Sequence, residues 1–231
     1  MKILGLDTST IMTTITLMDK GEIIGEYSLS QSMSHSEKLV PMVKTVLDSL
    51  DLSIKDIDLF ATTIGPGSFT GLRIALASIK GFAHIYNKPV IGISTLEAMA
   101  FNLPYNEIVA PMLDARRQRV YTGIYSWKGN KLETIMGHDA LEIEDLIDKL
   151  GKYNNIIVNG DGALLYKDLL KEKLGHRLRF AKPGDNMPRA ASVCEIARLR
   201  YDNNEIEDDF FSLKPDYLRP SQAERELNEK R

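Results

Sequence analysis

The stretch that decides the fold is KILGLDTSTIMTTITLMDKGEIIGEYSLS, residues 2–30. Its first apolar run ends at Asp7, and two strand-like runs follow, joined by a tight turn at Asp19-Lys20-Gly21. The same order recurs in EIVAPMLDARRQRVYTGIYSWKGNKLETIM, residues 107–136, where Asp114 takes the place of Asp7 and the turn is Lys128-Gly129-Asn130. The chain therefore contains a repeated unit of three antiparallel strands.

Each unit leads into alternating helix and strand patterns. TTIGPG, residues 62–67, and IVNGDG, residues 157–162, both read as a strand that ends in a glycine turn and opens a helix. This order, made twice, predicts an α/β protein with the duplicated plan of the actin-like and Hsp70-like (ASKHA, RNase H-like) fold. We expect two subdomains over residues 1–102 and 103–207, and a C-terminal segment over 208–231 that packs back towards the first.

Composition limits the classes of function. The 231 residues include one cysteine and no long apolar run, which predicts a cytoplasmic protein without a membrane anchor. A net charge of -3 argues against autonomous RNA binding. The clearest basic cluster is DARRQR, with Arg116, Arg117 and Arg119. These arginines form either a solvated strand edge or a contact to nucleic-acid phosphates, and the sequence leaves both open.

The two aspartate loops are where phosphate chemistry would reside in such a fold, since a glycine after each aspartate lets backbone amides approach a phosphate. Asp7-Thr8-Ser9-Thr10 has hydroxyls but no glycine, and the loop after Asp114 has neither. Asp7, Thr8, Ser9 and Asp114 remain candidates for weak nucleotide binding, without efficient phosphoryl transfer. The alternative for Asp7 is that its carboxylate accepts hydrogen bonds within its own turn. The histidines lack metal-ligand spacing, so no metal site is predicted.

The two helices of the first half carry more apolar surface than one buried face needs. In the helix over 69–86, the side opposite the core face consists of small residues framed by isoleucines: Ile74, Ala77, Ser78, Gly81 and Ile85. In the helix over 36–50 the broad apolar arc includes Leu39, Met42, Val43, Val46 and Leu47. Together these positions predict an intermolecular helical interface. The alternative is that the extra apolar positions of the earlier helix pack on the later one within the domain.

Four stretches carry a resemblance to a known family: ILGLDTST, SHSEKLVPMV, GPGSFTGLR and PDYLRPSQAERE. Over essentially its whole length the chain resembles the TsaB family of bacterial subunits for making threonylcarbamoyladenosine at position 37 of tRNA. An older label of that family, glycoprotease, suggests a peptidase. We discount this activity because the sequence has no set of nucleophile, base and orienting group.

The resemblance implies an actin-like, non-catalytic subunit. Such proteins pair with the catalytic paralogue TsaD, which takes the threonylcarbamoyl group from the adenylate made by TsaC, and the ATPase TsaE joins the assembly. The substrates of the complex are tRNAs that read ANN codons. The resemblance implies that this subunit contacts tRNA only indirectly, through the complex. The family also forms homodimers through the same helical face when TsaD is absent. The rival interpretation is an actin-like small-molecule kinase or ATPase with degenerate phosphate loops.

Overall fold

The computed structural model describes residues 1–30, 35–103, 107–205 and 212–218. The ten strands of these ranges are β1 Lys2–Asp7, β2 Met12–Asp19, β3 Glu22–Ser30, β4 Leu59–Gly65, β5 Val90–Ser94, β6 Ile108–Asp114, β7 Arg119–Lys128, β8 Lys131–Glu142, β9 Ile156–Asn159 and β10 Leu178–Phe180. The seven α-helices are α1 His35–Asp48, α2 Phe69–Tyr86, α3 Thr95–Phe101, α4 Ile143–Leu150, α5 Asp161–Leu165, α6 Lys167–Leu174 and α7 Ala190–Asp202.

The strands form two five-stranded sheets with the same plan. The first has the order β3-β2-β1-β4-β5 and the second the order β10-β9-β6-β7-β8. In each, the opening three strands are antiparallel, and two parallel strands follow on the other side of the first strand. Asp7 and Asp114 end the equivalent strands β1 and β6. The predicted duplication is therefore confirmed.

The first sheet is covered on both faces, which is why β1 is buried from Ile3 to Asp7 without polar alternation. On one face, α1 and α2 enclose a cluster that includes Leu4, Leu6 and Phe60. On the other, α7 and α3 enclose a cluster that includes Ile3 and Cys194. Cys194 is completely buried, as expected of a small core side chain.

Helix α3 links the two sheets. It follows β5 of the first sheet, yet Leu96, Met99 and Ala100 share a buried cluster with Val109 and Trp127 of the second sheet. Asn159 at the end of β9 donates from Nδ2 to the Met99 carbonyl oxygen at 2.9 Å. The two halves are thus joined by a continuous apolar contact as well as by the chain.

The expected subdomain boundary between residues 102 and 103 falls directly after α3, whose C-cap is Asn102. Helix α7 belongs to the second half of the chain but packs on β1 and β2 of the first sheet, where the Ala190 amide donates to Thr14 Oγ1 at 2.9 Å. The division into 1–102, 103–207 and 208–231 remains a prediction. Helix α7 of the second unit covers one face of the sheet of the first unit.

Helix α2 starts against the turn that follows β1. Ser68 caps it, with its Oγ accepting from the Gly71 amide at 3.2 Å. Thr8 Oγ1 donates to the Gly71 carbonyl oxygen at 2.7 Å. A β-carbon on Gly71 would overlap the Thr8 carbonyl oxygen, whereas one on Gly81, further along the same helix, would meet nothing within 4 Å.

These two glycines give a matched pair of substitutions. We expect Gly71→Ala to lower the free energy of unfolding by about 1–3 kcal/mol, because backbone atoms must move apart. Gly81→Ala should raise it by up to about 1 kcal/mol, because alanine loses less backbone entropy in a helix. Urea denaturation of both variants measures the difference, and equal stabilities would contradict the close contact at Gly71.

Candidate functional site

The turn after β1, where a phosphate loop is expected, is closed by its own side chains. Asp7 is fully buried, and its Oδ2 accepts hydrogen bonds from Thr63 Oγ1 at 2.5 Å and Ser9 Oγ at 2.8 Å. Its Oδ1 accepts from the Ser9 amide at 3.2 Å. Thr8 and Ser9 are also buried. The geometry matches the structural alternative for Asp7, with Thr63 of β4 as a partner from outside the turn.

The segment GPGSFTG, residues 65–71, lies directly on this turn. The Ser68 amide donates to the Ser9 carbonyl oxygen at 2.7 Å. A β-carbon on Gly67 would overlap that same oxygen. Gly67 and Gly71 therefore allow protein backbone, rather than a phosphate, to approach closely. Because the loop covers the turn, Asp7, Thr8 and Ser9 do not fit a nucleotide or its metal ion in this conformation.

Burial raises the pKa of the Asp7 carboxyl, and the hydrogen bonds from Thr63 and Ser9 oppose this shift. The three protein donors that contact Asp7 also occupy most of the lone pairs that a carboxylate could offer to a metal ion. Among the described residues there is also no cluster of three or more His, Cys, Asp or Glu side chains that could hold a metal ion.

The second aspartate loop is more open but is also internally bonded. Asp114 Oδ1 accepts from the Arg116 amide at 2.8 Å, and its Oδ2 lies 3.0 Å from Arg116 Nη1. Arg116, Arg117 and Gln118 have φ values of 62°, 55° and 59°, in the left-handed region. Arg119 Nη2 donates to the Ala140 carbonyl oxygen at 2.9 Å. Arg119 is thus bound to the neighbouring strand, while the Arg116 side chain is 83% exposed.

The residues predicted on α1 do not form a surface. Five of them pack into the core of the first half with exposures of 7% or less: Leu39, Met42, Val43, Val46 and Leu47. They fill the space between α1, the first sheet and α2, so the alternative of packing within the domain describes them. In the isolated chain these five side chains are therefore buried, and their contact with a partner stays a prediction. On α1, Val40 is 50% exposed.

The outer face of α2, by contrast, is accessible. Ala77 and Gly81 are exposed, and Ile74 and Ser78 are half-buried. Ile85 is 70% exposed, the largest value among the exposed large apolar side chains of the described residues. This set of five, which we call the α2 face, lies opposite the buried residues Leu72, Ala75, Leu76 and Ile79. Whether a partner covers it is a prediction that the isolated chain does not test.

The C-terminal segment expected to return to the first half is described over residues 212–218. Residues 212–218, the C-terminal strap, cross the end of β4 and the start of α2. The Asp216 amide donates to the Ile64 carbonyl oxygen at 2.7 Å, and Asp216 Oδ2 lies 2.8 Å from His138 Nε2 of β8. Tyr217 stacks on Phe69 with ring centroids 4.4 Å apart. The strap thus contacts both halves of the chain.

None of the helices within the described ranges combines the length and apolar character that crossing a bilayer requires.

Two equivalent sheets, each opening with three antiparallel strands and joined through α3, define the class as the actin-like α/β fold. A ROK hexokinase from Thermus thermophilus shares this fold, with a TM-score of 0.52 at 13% identity over 88% of this chain and 100% of that chain. At this identity the likeness concerns the fold alone.

Closer relatives define the family. A protein from Bacillus subtilis described as tRNA threonylcarbamoyladenosine biosynthesis protein TsaB is 30% identical over 97% of this chain and 96% of its own length. A Haemophilus influenzae protein of the same description is 37% identical, covering 86% of each chain. The solved structure of YeaZ from Pseudomonas aeruginosa has a TM-score of 0.78 at 26% identity, covering 94% of this chain and 99% of that chain.

The family model described as TsaD, tRNA N6-adenosine threonylcarbamoyltransferase, matches residues 22–227. The chain belongs to the TsaB family, within the wider group that this model covers. The resemblance identified from the sequence is confirmed.

The raised pKa of Asp7 predicts a pH dependence of stability. An unfolded aspartate titrates near about 3.9, below the folded value, so the unfolded chain releases its proton first. The free energy of unfolding should therefore fall as pH rises from about 4 towards the folded pKa. Asp7→Asn removes this titration. The free energy of unfolding of the variant, relative to that of the unmodified chain, should increase over that pH interval and stay constant above it.

Urea denaturation across the pH range measures this difference. Asp56→Asn is the matched control, because hydrogen bonds from the Ser53 amide and hydroxyl lower the pKa of Asp56. The unmodified chain should gain stability over that variant as pH rises, which is the opposite trend. If the difference in the free energy of unfolding between Asp7→Asn and the unmodified chain does not change with pH, the pKa of Asp7 is not raised by burial.

Proposed function

We propose that this chain is a non-catalytic partner subunit in tRNA threonylcarbamoyladenosine formation. It pairs with a TsaD-type transferase, together with a TsaE-type ATPase, for threonylcarbamoyl transfer to adenosine 37 of tRNAs that read ANN codons. The observation that carries the proposal is the exposed α2 face. A solvent-facing helix surface is normally polar, whereas this face presents small and aliphatic side chains ending in Ile85, which is 70% exposed.

The α2 face suits a helical partner. Small side chains at Ala77, Ser78 and Gly81 would let another helix approach closely, and Ile74 and Ile85 would provide apolar contact at either end. Since the five α1 residues named above are committed to the monomer core, α2 rather than α1 supplies the main contact in this proposal. The same face would support a homodimer when the TsaD-type partner is absent.

The closed loop at Asp7 supports a non-catalytic role over the rival interpretation as a kinase or ATPase. Phosphoryl transfer depends on positioned backbone donors and a metal ion at the phosphates, whereas here the carboxylate, both adjoining side chains and the glycine loop bond to one another. Contact with tRNA would then be indirect, through the complex. The engagement of Arg119 with the Ala140 carbonyl oxygen supports a structural role for that arginine.

Reconstitution tests the proposal through the α2 face. Modified tRNA should form from the TsaC-, TsaD- and TsaE-type proteins when this chain is present and fall strongly when it is omitted.

Gly81→Leu should leave a folded monomer, since a β-carbon there meets nothing within 4 Å. Overpacking of about 1–3 kcal/mol at a tight contact should weaken TsaD-type binding and self-association roughly 5- to 150-fold, with loss of modification.

Gly81→Ala is the control, because it keeps a small side chain and should bind almost normally. Sedimentation and thermal melts on the same preparations separate lost binding from lost folding. A Gly81→Leu protein that dimerises and binds the TsaD-type protein normally would place the interface elsewhere.

Autonomous nucleotide chemistry gives the second test. The isolated chain should hydrolyse ATP negligibly, because the turn that would hold the phosphates is filled by its own bonds. Steady turnover on the order of 1 s⁻¹, within the usual kinase range, that disappears in Asp7→Ala would instead favour the kinase or ATPase. A coupled ADP assay measures this rate, and a melting curve of the variant separates lost activity from lost folding.

A further inference from the structure

Arg73 lies on the first turns of α2, beside the α2 face, and is held in one orientation. Its Nε donates to the Tyr217 hydroxyl at 2.7 Å. Its guanidinium carbon lies 3.9 Å from the centroid of the Phe69 ring. The Phe69 and Tyr217 rings are themselves stacked, with an interplanar angle of 24°. An exposed arginine is therefore ordered by an aromatic pair, one ring from α2 and one from the strap.

This arrangement leaves one part of the guanidinium available. Nε is used by Tyr217, while Nη1 and Nη2 have no hydrogen-bond acceptor and no carboxylate partner among the described residues. Those two groups form the end-on fork that binds a carboxylate with two parallel hydrogen bonds. Since the side chain is already ordered, binding such a group would cost little rotamer entropy.

The neighbouring residues indicate what kind of partner supplies the acceptor. The fork lies at the rim of the α2 face, whose small and aliphatic side chains suit an apolar helix rather than a polyanion. From Phe69 to Tyr86, α2 contains no Asp or Glu. The α2 helix of a second copy therefore has no carboxylate to offer, so a heterologous partner fits the fork better than self-pairing through α2 does.

We propose that Arg73, positioned by Tyr217 and Phe69, is a recognition residue that pairs with an Asp or Glu side chain of the protein docked on the α2 face. The inference rests on the proposed function and deepens it: the partner carries a carboxylate beside an apolar helix surface. Tyr217 acts as a positioning residue, which gives the C-terminal strap a part in partner binding.

Titration calorimetry with the TsaD-type protein of the same organism, without tRNA, tests this pairing. Arg73→Ala should weaken binding about 10- to 100-fold, because the partner carboxylate loses two charge-assisted hydrogen bonds, and should reduce its salt dependence. Tyr217→Phe keeps the aromatic stack but frees the guanidinium, so we expect a loss of about 3- to 10-fold. Arg73→Lys should not restore binding, because lysine keeps the charge without the fork.

Arg179→Ala is the matched control. It removes an exposed arginine from β10, at the far edge of the second sheet, and should bind like the unmodified chain. Melting temperatures of all four variants confirm that each is folded.

Four results would overturn the inference. Unchanged affinity in Arg73→Ala shows that the fork takes no partner group, and full binding by Arg73→Lys shows that charge alone is sensed. Normal protein binding by Arg73→Ala together with weaker tRNA binding of the assembled complex assigns the fork to a phosphate. If the unmodified chain itself fails to bind the TsaD-type protein, the proposed function fails and this inference with it, whereas the other results leave that function standing.

Discussion

The hydrogen bond from Thr63 to the buried carboxyl group of Asp7 is the constraint around which the first half is organised. It ties the end of β4 to the end of β1, the place where an actin-like fold otherwise opens towards a nucleotide. Once Asp7 is occupied by Thr63 and Ser9, the glycine loop can close over the turn, and α2 begins directly against the Thr8 backbone. The same contacts that fill the site thus fix where α2 starts.

Local patterns predicted the strand order well. Alternation, tight turns and the recurring aspartates identified both three-strand units, because these signals arise from neighbouring residues. The closure of the site could be predicted only in part. The absence of glycine after Asp7 was visible, but its bond with Thr63 joins residues 56 apart, and the Arg73–Tyr217 contact joins residues 144 apart. Such contacts depend on the packing of whole elements, which periodicity does not encode.

The two helices show where a helical wheel stops being informative. A wheel measures how wide an apolar face is, but it does not say what covers that face. On α1 the wide apolar arc packs inside the monomer. Because Gly25 of β3 has no side chain, Val46 and Leu50 can pack directly against that strand. On α2 the buried face is complete without its small residues, which are left outside. The two wheels therefore predicted the same role for surfaces that the tertiary structure uses differently.

The closed loop also bears on how α2 would bind a partner. A surface element binds more tightly when it does not have to be ordered on binding. Here the first turn of α2 is held by Thr8, by the Ser68 cap and by the stack of Phe69 on Tyr217, and the helix ends at Asn87 in a left-handed cap. The glycines that allow this close contact occupy the position of a phosphate loop. Opening that loop for a nucleotide would release the start of α2, so phosphate binding and a rigid start of α2 depend on the same few residues.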